Sequence, residues 1–73
     1  MVLTNQMNEQ LENDIHSVRV LNKLSQQQLA DAVGVSRKTI STIETGRFTP
    51  SVVIALKIAK FFDMPLESLF KLK

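Results

Sequence analysis

Cysteine is absent, and with it disulfides, thiolate metal centres and thiol nucleophiles. A single histidine, His16, leaves no multi-histidine metal centre, so neither a metal nor a cofactor is expected. The chain has only two glycines, Gly34 and Gly46, and no glycine-rich phosphate loop. Its seven carboxylates are scattered over 73 residues, which leaves little room for an enzyme pocket. Catalysis is not expected. No apolar run approaches the ~18 residues that a membrane helix needs; the longest, Val52 to Leu56, is cut by Lys57 and Lys60. The N-terminus Met1-Val2-Leu3-Thr4 lacks the cationic region and long apolar stretch of a signal peptide. Together with the missing cysteines, this predicts a cytoplasmic protein with no membrane partner.

What is present fits one small domain. Hydrophobic residues make up 44% and charged residues 22%, an ordinary globular balance, so disorder is not the expectation. A chain this short buries only about 60% of its unfolded surface. The net charge of +2 is unevenly placed. Residues 1–18 carry Glu9, Glu12 and Asp14 and no Lys or Arg, whereas all nine cations follow, against four acids. The cationic part suits a polyanion and the acidic part is held away from it.

Strand signals are nearly absent, and the breakers divide the chain into short helices. The first is predicted from Asp14 to Lys23 with Asn13 as cap, burying Ile15, Val18 and Leu21 or Asn22. Met7 and Leu11 continue its phase backwards, so it starts as early as Asn8 or Thr4, unless residues 1–12 form a loose or strand-like arm. Ser25 and Gln28 form a capping box that opens a second helix from Gln26 to Val33, closed by Gly34. Ser36 caps a third from Arg37 to about Thr45, with Ile40, Ile43 and the stem of Glu44 inward and Gly46 closing it. Thr49 or Ser51 caps a fourth that reaches about Phe62 and is apolar nearly all round, the mark of a central helix. Pro65 starts a short fifth helix through Phe70. The predicted fold is all-α: five compact helices, with a possible short terminal strand or N-terminal helix extension. Its expected divisions are an arm or helix extension at 1–12, the main domain at 13–70 and a C-terminal tail at 71–73.

The segment Gln26–Ile43 is the informative one. Gly34-Val35-Ser36 is too tight a turn for two antiparallel helices, so they must cross steeply. Ala30 lies where the third helix passes closest, and Gly34 takes the positive φ of the turn. This is a helix-turn-helix, the unit that places its second helix in the DNA major groove. With Ile40 set inward and about 100° per residue, Lys38, Thr42 and Thr45 point outward, with Arg37 and Ser41 on the flanks. Arg and Lys suit guanine O6/N7, and Thr suits a base edge or a thymine methyl. Gln26, at the N-terminus of the second helix, suits an anion. Ser36, Thr39 and Ser41 are short hydroxyl donors around the third helix, and Arg47, with Thr45 nearby, is placed for the adjacent backbone.

Leu24-Ser25-Gln26-Gln27-Gln28-Leu29-Ala30, Gly34-Val35-Ser36, Thr39-Ile40-Ser41, Ile43-Glu44, Gly46-Arg47 and Pro50-Ser51 together resemble the phage Cro/lambda-repressor (Xre-type) DNA-binding domain. The likeness continues through Leu56-Lys57-Ile58-Ala59 to Leu66-Glu67-Ser68-Leu69-Phe70 and covers about Asn13 to Phe70. It implies base readers at Arg37, Lys38 and Thr42 and a backbone contact at Gln26. It also implies that Arg19 pairs with Glu44 across the domain and fixes the angle of the recognition helix. The function implied is a sequence-specific transcriptional regulator, a repressor rather than an activator, bound to a palindromic operator as a homodimer on double-stranded DNA.

The fourth helix carries more apolar residues than one core stripe uses. Val53, Leu56 and Ala59, with Val52 or Phe62, are expected inward, which leaves Ile54 and Phe61 outward and Ile58 open to either side. Ile54, Phe61, Leu66, Leu69, Phe70 and Leu72 are then candidates for a dimer seam, the alternative being that all are core. Phe70-Lys71-Leu72-Lys73 alternates and could pair as a strand with a second copy or with residues 1–4. With no sensing module in the sequence, occupancy would be set by concentration, salt or a protein partner. An antitoxin that represses its own operon is the nearest rival. A helical module that binds only protein is a further one, against which Arg37, Lys38 and Thr42 speak.

Overall fold

The computed structural model of the protein describes residues 10–73. In chain order they form β1 (Leu11–Asn13), α1 (Ile15–Leu21), α2 (Gln26–Val33), α3 (Arg37–Glu44), α4 (Val52–Phe61), α5 (Leu66–Leu69) and β2 (Phe70–Leu72). Five helices thus surround one core, and a two-stranded antiparallel ribbon ties the start of the described chain to its end. The register is Leu11↔Leu72, Glu12↔Lys71 and Asn13↔Phe70. It sets an acid opposite a base, a favourable cross-strand pair. Asp14 N–H donates to the Leu69 carbonyl at 3.0 Å and Lys73 N–H to the Gln10 carbonyl at 2.8 Å, which extends the tie at both ends.

The ribbon decides between the two readings of the chain's start, in favour of a strand-like arm at Leu11 and Glu12, and places its end. Leu11 continues a strand rather than the first helix, because its backbone finds partners in β2; the proposed earlier starts at Thr4 and Asn8 lie outside the described residues. The C-terminal alternation pairs with residues 11–13 of its own chain, not with residues 1–4. Within residues 71–73, Lys71 and Leu72 are in β2 and Lys73 N–H is bonded to the Gln10 carbonyl.

Helix α1 is shorter than expected. It ends at Leu21, with Lys23 in the left-handed region at φ 58°. Asn13 still serves its start, its side-chain oxygen accepting from Ile15 N–H at 3.1 Å. Leu21 is 80% exposed and Asn22 is exposed too; the inward position belongs to Arg19, only 8% exposed. The apolar spacing of α1 does not show its inward phase there, because the last inward member is a charged residue.

Helix α4 is turned roughly a quarter of a revolution from expectation, with Ala59 and Phe62 inward as expected. Ala55, Ile58 and Ala59 are buried, Ile54 and Phe62 pack against the core, and Val52, Val53 and Leu56 face outward. It is consequently a peripheral helix with one inward face, not a central one. Ser51 caps it by accepting from Ile54 N–H at 3.1 Å. Leu69 and Phe70 are buried and Leu66 packs against the core, so these three, like Ile54, belong to the domain's own interior. Helix α5 stops at Leu69 because Phe70 already has extended backbone.

The largest fully buried side chains are Ile15, Leu29, Ile40, Ile43, Ile58 and Leu69, drawn from all five helices. Each contributes about 1.5–3 kcal/mol by leaving water, and α2 and α3 supply half of them.

Candidate nucleic-acid interface

Helices α2 and α3 owe their ends to local chemistry. Ser25 Oγ accepts from Gln28 N–H at 3.0 Å, and the Gln28 side chain accepts from Ser25 N–H at 2.8 Å. This reciprocal cap fixes where α2 begins. Gly34 ends it at φ 76°, with Val35 N–H donating to the Ala30 carbonyl. A Cβ on Gly34 would meet nothing within 4 Å, so the turn needs glycine for its backbone angle and not for space. Ala30 is fully buried at the junction. Ser36 Oγ then accepts from Thr39 N–H at 3.1 Å and opens α3.

The inner edge of α3 is held by charge. Arg19 Nε donates to Glu44 Oε2 at 2.7 Å and Nη2 to Oε1 at 3.2 Å, and the side chains are only 10% and 4% exposed. The remaining Arg19 nitrogen, Nη1, donates to the Leu24 carbonyl at 2.7 Å. His16 is largely exposed, but its Nδ1 reaches this pair from outside, 3.1 Å from Arg19 Nη2 and 3.5 Å from Glu44 Oε1. Burial opposes ionisation of Glu44. The hydrogen bonds from Arg19 and Gln26, the Arg19 charge and the contact with His16 outweigh it and hold the carboxyl below its ordinary value. Among the described residues no buried side-chain nitrogen or oxygen lacks a partner.

Gln26 carries this network to the surface. Its Nε2 donates to Glu44 Oε1 at 3.0 Å, and its Oε1 accepts from Arg37 Nη1 at 3.3 Å. The first side chain of α2 therefore bridges the buried pair and the first residue of α3, which spacing alone does not reveal. Asn13 is a second link missed in the sequence: its Nδ2 donates to the Ile43 carbonyl at 2.9 Å, at the other end of α3. The signal available was an amide at a helix start, whose NH2 donors a cap made through the oxygen leaves unused.

The outward side of α3 is polar. Arg37 and Lys38 are exposed, Thr39, Ser41 and Thr42 half-buried. Arg37, Lys38 and Arg47 have no carboxylate partner among the described residues, so their charge faces solvent uncompensated. Thr42 Oγ1 lies 3.0 Å from both the Lys38 and Thr39 carbonyls, to which it donates. Its proton is thus used within the helix, leaving an acceptor oxygen and a methyl for any ligand. Ser36 and Thr39 hydroxyls share a hydrogen at 2.9 Å. The Thr45 hydroxyl donates to the Thr42 carbonyl at 3.1 Å. Gly46 N–H donates to the Ile43 carbonyl and Arg47 N–H to that of Thr42, both at 3.0 Å, a helix-closing pair that fixes the exposed Arg47 beside the end of α3. Among the described residues no cluster of His, Asp or Glu could hold a metal ion, and no helix is long and apolar enough to cross a membrane.

A capped helix, a left-handed glycine turn and a second helix with a sealed inner face and a cationic outer one define a helix-turn-helix protein. Residues 15–69 match the helix-turn-helix family model. An uncharacterized HTH-type transcriptional regulator of Methanocaldococcus jannaschii is 45% identical over 60 residues, spanning 82% of this chain and 91% of that one. The uncharacterized HTH-type transcriptional regulator YgzD of Bacillus subtilis is 40% identical over 63 residues, spanning 86% and 96%. Among solved structures, the restriction-modification controller protein C.AhdI from Aeromonas hydrophila is similar at a TM-score of 0.69 and 30% identity, over 74% of this chain and 82% of that one. The chain belongs to the Cro/C1-type, Xre-like helix-turn-helix family of DNA-binding transcriptional regulators, which are not enzymes.

Proposed function

We propose that the protein is a cytoplasmic repressor that binds a palindromic operator as a homodimer and inserts α3 into the major groove. The observation that carries this reading is the two-sidedness of α3: Ile40, Ile43 and the Glu44 carboxylate are locked inside, while Arg37 and Lys38 are exposed on the outside with no carboxylate partner among the described residues. Arg37, Lys38 and Thr42 are the base readers. Thr42 acts as an acceptor or through its methyl, since its proton is already donated. Gln26, Ser36, Thr39, Ser41, Thr45 and Arg47 line the backbone on either side, with Gln26 also orienting Arg37. A homodimer is supported by the outer face of α4, where Val52, Val53 and Leu56 are 71%, 61% and 50% exposed, with Phe61 on its flank. A contiguous apolar surface of this kind marks an interaction site. It replaces the buried Leu69 and Phe70 as the seam, with Phe61 at its edge. A two-fold pair places two recognition helices about one helical turn of DNA apart.

The test is a gel-shift titration on duplexes selected from a random library, at two salt concentrations. Binding must weaken steeply with salt, because phosphate contacts release counterions. Lys38→Ala should relax discrimination at one or two base pairs at a cost of about 1–3 kcal/mol, whereas Arg47→Ala should weaken all sequences alike. Equal losses from both variants at every operator base change would sink the division into readers and positioners, and binding that ignores salt would sink DNA as the ligand.

A further inference from the structure

Phe48 stands out on the side of the molecule that carries α3. It is 48% exposed and is not among the side chains that pack against the core. Its position is nevertheless fixed: Phe48 N–H donates to the Thr42 carbonyl at 3.3 Å, beside the Arg47 N–H that shares the same oxygen. The closing turn of α3 thus folds the chain back so that the ring meets the helix's outward surface. There, Ser36, Lys38, Thr39, Thr42 and Phe48 line an open recess of about 230 Å³.

We infer that this recess receives the C5-methyl group of a pyrimidine in the major groove, making Phe48 a specificity-determining residue outside the recognition helix. The inference rests on the proposed docking of α3 on DNA. Three features of the recess select a methyl group over a hydrogen-bonding edge. Phe48 has no donor or acceptor. The Thr42 hydroxyl proton is committed to the Lys38 and Thr39 carbonyls. The Ser36 and Thr39 hydroxyls share one hydrogen bond and Ser36 Oγ also accepts from Thr39 N–H in the α3 cap, which leaves the two residues a single free hydroxyl proton. What the walls offer is chiefly hydrocarbon, including the Lys38 stem, whose ammonium stays free for a neighbouring acceptor. The major groove exposes one apolar group on an unmodified base, the thymine methyl, and its O4 acceptor lies beside it on the same edge. Cytosine presents an amino donor there and no methyl, so Lys38 and the recess together disfavour it. An exposed aromatic ring has a reason to stay in water on this face if binding covers it.

The experiment uses the full chain and duplexes it selects from a random library. Each thymine of the selected site is replaced singly by uracil, which removes the methyl and nothing else. Wild-type protein should lose about fourfold in affinity at one position per half-site, the value of one buried methyl-sized group. Phe48→Ala should weaken binding to the thymine duplex and be indifferent to uracil at that position, so that the two losses do not add. Phe48→Leu, which keeps an apolar wall should the alanine variant misfold, should retain the discrimination. Placing cytosine and then 5-methylcytosine there separates the two sources of the methyl: partial recovery with 5-methylcytosine reads the methyl itself, and no recovery assigns the site to thymine through O4 as well. Uracil effects that are absent, or that persist unchanged in both Phe48 variants, overturn the inference while leaving groove docking intact. Failure of the wild-type protein to select any sequence overturns the proposed function and this site with it.

Discussion

The outer faces of α3 and α4 both reach solvent and are chemically opposite. On α3 the exposed positions are Arg37 and Lys38, with the half-buried hydroxyls of Thr39, Ser41 and Thr42 between them. On α4 they are Val52, Val53 and Leu56, interrupted only by Lys57 and Lys60. A polar exposed face by itself is the default of any water-soluble helix. Its meaning comes from behind, where a buried ion pair, two caps and two amide links fix the helix that bears it. The apolar face of α4 needs no such backing, because exposed hydrocarbon is unfavourable until something covers it. One surface is defined by how rigidly it is held and the other by what it lacks.

The sharpest way to break this contrast is through Glu44. Glu44→Ala strands Arg19, whose side chain is 10% exposed, and should cost about 3–5 kcal/mol. In a domain of this size that lowers the melting temperature by roughly 4–8 °C per kcal/mol, and thermal melts by circular dichroism read it directly. The paired replacement Arg19→Met with Glu44→Leu removes both charges, and should restore much of the stability while loosening Gln26 and Arg37, seen as weaker DNA binding. The same residue predicts an acid limb. Its carboxyl titrates below the ordinary value in the folded state. The ionised form therefore stabilises the fold above the ordinary carboxylate range, near pH 4.3, and that contribution disappears as pH falls through the lowered folded value. Glu44→Gln should flatten this limb of a stability-versus-pH curve. An unchanged slope would mean that other carboxylates set it.

How far the two faces were legible in the sequence follows from the same contrast. For α3 the residue types alternate between isoleucine and polar groups at helical spacing, so Ile40 and Ile43 fix its phase. Ser25, Gln28, Gly34 and Ser36 each carry one dominant local role, and the structure has them in those roles. For α4 nearly every position is apolar, and hydrophobic periodicity has no phase to report. The usable signal was the pair Lys57 and Lys60: the buried residues Ala55, Ile58 and Ala59 lie on the side away from them. In β1 and β2 three residues each are too few for a period, and their pairing spans almost the whole described chain. Gln26 and Asn13 escaped for a related reason. A side chain that bridges two elements leaves no mark in the local sequence of either.

The α4 face is tested by charge. Leu56→Asp places an acid where the residue is half exposed, so the melting temperature of the isolated domain should move by no more than about 0.5 kcal/mol allows. If the proposed dimer uses this face, sedimentation should nevertheless show its loss, and operator affinity should fall about tenfold or more, or 1.4 kcal/mol. A variant that still sediments as a dimer would show that the seam lies elsewhere, and one that is monomeric yet binds fully would show that a single α3 suffices.

The smallest effect separates the two helices at their ends. Both close with the same backbone pair: Gly46 and Arg47 N–H donate to the Ile43 and Thr42 carbonyls after α3, and Asp63 and Met64 N–H to the Lys60 and Ala59 carbonyls after α4. The residue that turns left-handed is glycine in the first case, at φ 79°, and aspartate in the second, at φ 55°. A side chain in that region costs roughly 1–2 kcal/mol, partly relieved for aspartate because its short polar group tolerates the conformation. Asp63→Gly should therefore stabilise the fold by about 0.5 kcal/mol. Gly46→Ala should destabilise it by about 1 kcal/mol through φ alone, since a Cβ there meets nothing within 4 Å. Gly46→Asn, which tolerates the left-handed region, should recover part of that loss. If alanine and asparagine at position 46 were equally costly in chemical denaturation, the backbone angle would not be the reason for glycine there, and the turn that aims Arg47 and Phe48 would owe its shape to something other than local conformation.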